Sequence, residues 1–275
     1  MDRSEREIGL RGFLNKITPQ EKTKLQKQDT DILYKMIGFV EASDFVDNGA
    51  IITNIGYLCG EKEINTCIVD FKVFYPTLYN YLDVEHNEKG KGLLTVLRDD
   101  KVDIRENINV TKYKQLYLLS PSPYDLIEEY LDFKMSTIKR LLEELKEMFD
   151  LVLIDIPNNP PLEFCLAAMK YVHRGFITVS ERIESIDNVI KLLEFSSSVG
   201  ISTAKFTNLI YANLLDLNYD YGALKETNLK VVAKIPMVRA VTEGYLKGDL
   251  YIKDSAIIDK RYMKGIQDVV NIITT

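Results

Sequence analysis

Tryptophan is absent from the 275-residue chain, and only two histidines and three cysteines occur in it. His86 and His173 are too few and too far apart to build an imidazole metal centre or a nucleophile–histidine triad. Cys59, Cys67 and Cys165 show no CxxC spacing and sit in apolar surroundings, which excludes a zinc cluster and a disulfide framework. They read instead as buried thiols of a reducing, cytoplasmic compartment, and no metal site is expected. No apolar run approaches the ~18 residues that a bilayer span needs, so stable membrane insertion is not expected, and no N-terminal signal pattern is present. A basic excess is also lacking, since 35 Lys and Arg stand against 41 Asp and Glu for a net charge of −6. Nucleic-acid binding therefore has no support in the charge balance.

The sequence does carry apolar content of 46% and charged content of 28%, the proportions of an ordinary globular domain. Residues 1–30 form a charged extension with Ile8, Leu10, Phe13, Leu14 and Ile17 ahead of Pro19, which reads either as a mobile tail or surface helix packed on the domain, or as a partner-binding arm. Residues 31–275 alternate buried-strand and amphipathic-helix patterns, the signature of a single α/β domain. Strands are expected at 36–40, 66–71, 116–120, 151–156, 175–179, 208–212 and 231–235. Helices are expected at 49–60, 92–97, 135–149, 162–171, 185–198, 240–246 and 257–273.

The informative stretch is the opening strand, loop, helix and strand over residues 36–71. In a phosphate-binding α/β domain such a loop needs glycines for close backbone approach, a lysine for the β and γ phosphates, and a Ser or Thr hydroxyl for Mg²⁺. The surrounding sequence resembles the ParA/MinD family of deviant P-loop ATPases, whose loop reads KGGxGK[ST]T. Laid over that pattern without a gap, the family's first lysine falls on Ser43 and its glycines on Asp44, Phe45 and Asp47. The phosphate lysine falls on Asn48, and the hydroxyl residues fall on Gly49 and Ala50. Flanking motifs are similar to the family's. IITNIGYL follows xATNLxxxL, and VDFKVFYPTLYNYL follows VDxDxxxPxLxxxL, with Asp70 at the first aspartate and Lys72 at the second. FDLVLIDIPNNPP follows the Walker B run YDxVIIDxPP, with Asp155 at the acidic position. Asn213 stands at the adenine-reading asparagine, although Leu214 replaces the basic residue after it, and Pro236 matches the IPxD/R turn.

The resemblance implies a mostly parallel twisted sheet with helices on both faces, the ParA/MinD variant of the P-loop NTPase fold. The loop chemistry implies that the reaction is gone. Two loop carboxylates, Asp44 and Asp47, each about 4 Å from a phosphate charge would cost about 4 kcal/mol at a protein-surface dielectric. Together they would offset most of a micromolar binding energy of about 8 kcal/mol. Asn48 supplies no charge, Gly49 cannot ligate Mg²⁺, and Lys72 cannot orient water as an aspartate does. A salt bridge from Lys72 to Asp44 or Asp47 is expected to close the pocket.

The expected role is therefore a catalytically inactive, dimeric adaptor or positioning protein with no cofactor. The resemblance implies protein partners drawn from partitioning, pilus, secretion or conjugation machinery. It also implies a homodimer or a heterodimer with an active homologue, and a TadZ-like subgroup fits the altered loop. The alternative is a slow ATPase or nucleotide-binding switch holding ATP and Mg²⁺ through Asn48, Gly49, Ala50, Asp70, Lys72, Asp155, Asn213 and Pro236. The last helix carries Ile257, Ile258, Tyr262, Ile266, Val269, Val270 and Ile273 on one stripe. Asp259 and Asp268 dilute its basic residues, so the stripe is expected to pack on the core and not on a lipid surface.

Overall fold

Successive buried side chains on each central strand point to opposite faces, which divides the hydrophobic residues into two layers, one on each side of an eight-stranded sheet. The computed structural model describes residues 32–42, 46–85, 90–159, 161–182, 184–214 and 228–275. Within them Ile32–Thr274 forms one compact body. The strands are β1 (Met36–Glu41), β2 (Thr66–Asp70), β3 (Asn109–Val110), β4 (Leu116–Leu119), β5 (Leu151–Ile156), β6 (Arg174–Val179), β7 (Asn208–Leu214) and β8 (Lys230–Pro236). Their spatial order is β3-β4-β2-β5-β1-β6-β7-β8. Every pairing is parallel except the short antiparallel edge β3–β4.

In chain order the helices are α1 (Asn48–Glu61), α2 (Leu78–Leu82), α3 (Leu93–Arg98), α4 (Met135–Met148), α5 (Leu162–Tyr171), α6 (Glu184–Ser198), α7 (Arg239–Tyr245), α8 (Tyr251–Asp254) and α9 (Lys260–Ile273). On β1, Met36 and Val40 face a core shared with α3, α4, α5 and α6, whereas Ile37 and Phe39 face a core shared with α1, α8 and α9. A parallel strand covered on both sides must be apolar at both parities, which is why MIGFV and LVLIDI read as continuous hydrophobic runs.

The expected elements are present with ends displaced by a few residues. The largest displacement is at the last helix, which begins at Lys260 where Asp259 accepts the N–H groups of Arg261 and Tyr262. Ile257, expected on its stripe, lies outside it and is exposed, while Tyr262, Ile266, Val269, Val270 and Ile273 are buried. Gly265 lets α9 sit directly on β8, because a Cβ there would lie 2.6 Å from the Lys234 carbonyl. Among the described residues no helix is long and apolar enough to cross a membrane. All three cysteines are buried and unbridged, and no cluster of His, Cys, Asp or Glu suited to a metal occurs among the described residues.

Candidate functional site

Parallel register fixes which carboxylates meet at the C-terminal ends of the central strands. Asp70 of β2 lies opposite Asp155 of β5, Asp155 in turn lies opposite Phe39 of β1, and Glu41 ends β1 opposite Thr178 of β6. In open α/β sheets this end of the central strands is where ligands bind. Here it gathers Glu41, Asp70 and Asp155 around one cation, Lys72.

The Lys72 ammonium donates to Glu41 Oε1 at 2.6 Å and stands 3.3 Å from Asp155 Oδ2. Burial alone would lower the pKa of this lysine, but the charges of Asp155 and Glu41 outweigh it and hold the ammonium protonated well above its ordinary range. Asp155 is fully buried, and among the described residues its carboxylate has no hydrogen-bond donor besides the Lys72 ammonium. Desolvation pushes its pKa well above the usual carboxylate range, Lys72 opposes that rise, and Glu41 and Asp70 add to it. Asp70 is better satisfied. Its Oδ1 accepts the Lys72 N–H at 2.9 Å, and its Oδ2 accepts the N–H groups of Thr77 and Leu78 at 3.3 and 3.5 Å. Burial still outweighs those bonds and raises it to about 6.

The start of α1 faces the same cluster. A helix N-terminus offers unpaired N–H groups and a positive dipole end, the usual seat for an anion. The seat is filled from within the chain. Glu41 Oε1 accepts the Asn48 N–H at 2.9 Å, and Asp47 Oδ1 accepts the Ala50 N–H at 3.3 Å as the helix cap. The Asp47 carboxylate also accepts the Tyr81 hydroxyl from α2. Tyr81 is pushed well above the ordinary phenol range, first by burial and then by the Asp47 charge. Asn48 is fully buried. Its Oδ1 accepts the Thr178 hydroxyl at 2.6 Å, and its Nδ2 has no partner among the described residues. Gly49 is required by the roof above it, since a Cβ would lie 2.9 Å from the Tyr81 ring and 3.2 Å from Leu78.

Of the residues expected at the site, Asn48, Gly49, Ala50, Asp70, Lys72 and Asp155 are brought together. Asn213 and Pro236 are not, because β7 and β8 lie two and three strands beyond β1, roughly 10 and 14 Å away at ordinary strand spacing. The backbone of Asn213 belongs to β7, and its side chain lies outside the described residues. Lys72 pairs with Glu41 and Asp155 and not with Asp47, which is taken by Tyr81 and Ala50. Ser43, Asp44, Phe45 and His86 lie outside the described residues. Glu41, Thr178 and Tyr81 escape notice in the sequence. The one available signal was for Glu41, an ionisable residue closing an otherwise apolar strand.

No family model matches the sequence. An uncharacterized ATP-binding protein of Methanocaldococcus jannaschii is 24% identical over 191 residues, covering 66% of this chain and 68% of that protein. Among solved structures, the septum site-determining protein MinD of Pyrococcus horikoshii, complexed with Mg-ADP, superposes with a TM-score of 0.72 at 17% identity. That match covers 87% of this chain and 95% of MinD. A ParA family ATPase from Chlorobium tepidum superposes with a TM-score of 0.73 at 16% identity, covering 86% and 99%. The chain thus has the fold of MinD and ParA ATPases, as its motifs predict.

Proposed function

We propose that the chain is a positioning protein of the ParA/MinD type in which the nucleotide's place has been closed by the protein's own ions, leaving a non-catalytic adaptor. The observation that carries this reading is the Glu41 carboxylate, held on the Asn48 N–H at the start of α1 and clamped by Lys72. A terminal phosphate would have to displace that carboxylate and draw Lys72 from two acidic partners. It would then meet Asn48 and Ala50 where a cation and a hydroxyl assist phosphoryl transfer. The fold's neighbours include a septum site-determining protein, which supports a positioning role. A dimer acting on a partitioning, pilus, secretion or conjugation machine accords with that fold.

A second reading, a nucleotide-binding switch or slow ATPase, has two observations in its favour. The curated relative is described as ATP-binding, and Asp70 and Asp155 keep their places at the strand ends. If ATP and Mg²⁺ bind, Asn48, Gly49 and Ala50 would receive the phosphates, and Asp70 and Asp155 would face the metal. Titration of the full chain with a fluorescent ATP analogue and Mg²⁺, beside a phosphate-release assay, decides between the two. The adaptor reading expects no saturable binding below about 100 µM and no turnover. Saturable binding in that range with turnover lost in Asp155→Ala would establish the switch.

A further inference from the structure

The turn that joins β4 to α4 is anchored from below and apolar on top. Tyr130 is buried, donates its hydroxyl to Asp125 at 2.6 Å, and packs edge-on against Phe164 of α5. Asp125 also accepts the Ser122 N–H at 2.9 Å, and Glu129 accepts the Leu126 N–H while pairing with Arg98. On this fixed turn Tyr124, Leu126, Ile127 and Leu131 are 60%, 62%, 39% and 51% exposed. A single exposed leucine on a surface needs no explanation, but four large apolar side chains within eight residues of a well-anchored turn form a patch of the kind partners cover.

The charges beside the patch choose the partner. Residues 121–134 hold four carboxylates against Lys134; Arg98 pairs with one of them, Glu129, and among the described residues neither Glu128 nor Asp132 has an ion pair. A second copy of this chain, docked on a twofold axis, would bring those carboxylates against their own equivalents. Nucleic acid and anionic lipid carry the same sign as the turn. Leu126 and Leu131 bracket the single 3₁₀ turn Ile127–Tyr130, about 10 Å apart along its axis at the rise of such a turn, close to the spacing of residues i and i+7 on an α-helix.

We infer that this turn is the docking surface for a basic amphipathic helix of a partner protein, with Leu126 and Leu131 as apolar anchors and Glu128 and Asp132 meeting its lysines or arginines. The inference concerns a different surface from the strand-end cluster and holds whether or not nucleotide binds.

The test is fluorescence anisotropy of the full chain with a labelled helical peptide of about 18 residues, built of leucine at helical spacing and lysine elsewhere. Saturable binding is expected, weakened about tenfold or more in Leu126→Glu/Leu131→Glu and unchanged in the control Ile257→Glu. Glu128→Lys/Asp132→Lys should weaken the lysine peptide and favour a leucine–glutamate peptide of the same pattern. Circular dichroism of each variant confirms folding, and the charge-reversal pair tests the surface without touching its apolar anchors. The inference is overturned if a scrambled leucine–lysine peptide binds equally well, if the turn variants bind like wild type, if no binding occurs, or if Leu126→Glu/Leu131→Glu dissolves a dimer of this chain.

Discussion

Lys72 is the residue on which the strand-end cluster depends, because it is the cation set between Glu41 and the fully buried Asp155. Removing one partner of a buried ion cluster strands the others, at a cost of about 3 to 5 kcal/mol. Lys72→Ala should therefore lower stability by about that amount at pH 7 without any nucleotide present, as read from urea midpoints. Lys72→Met/Asp155→Leu should recover much of the loss. An unchanged midpoint in Lys72→Ala would show that the cluster does not depend on its cation.

Asp70 gives a pH signature of the same chemistry. Its pKa is raised to about 6, against an unfolded value near 4. Between those values the native state holds a proton that the unfolded chain has released, so stability falls as pH rises through the window. The share due to Asp70 is about 3 kcal/mol at most, and it should vanish in Asp70→Asn. Urea midpoints from pH 4 to 7 should fall more steeply with rising pH for wild type than for Asp70→Asn, and parallel profiles would contradict the assignment. At this scale the sequence was legible in part. The lysine stood out because an aspartate was expected at its position, but the identity of its partners depends on strand register between residues 31 and 83 positions apart, which no local pattern encodes.

Among the elements, α1 and its roof α2 carry the argument. Asp47 caps α1 and holds Tyr81 of α2, and Gly49 lets that ring close down. Gly49→Ala gains helix propensity but forces its Cβ into contacts of 2.9 to 3.2 Å with Tyr81, Asp47 and Leu78. Overpacking of this kind costs about 1 to 3 kcal/mol. A melting temperature lowered in Gly49→Ala would confirm the closed roof, and a raised melting temperature would contradict it. Long periodic helices such as α4 and α5 were legible because their apolar faces repeat at helical spacing. The short helices α2 and α8 were not, since five and four residues contain no full period and are set by tertiary contacts.

Over the whole molecule, the architecture follows from continuous apolar strands alternating with amphipathic helices, and it was legible almost entirely. Strand order was not legible in the sequence, because pairing β5 between β2 and β1 is a long-range choice. The inferred closure of the anion seat belongs to this scale too, since it draws together β1, β2, β5, β6 and the first turn of α1. The most direct measurement is a crystal structure grown with millimolar Mg·ATP. The account predicts Glu41 still on the Asn48 N–H and Lys72 still between Glu41 and Asp155, with no phosphate against α1. A terminal phosphate seated on the N–H groups of Asn48 and Ala50, with Glu41 displaced, would contradict it.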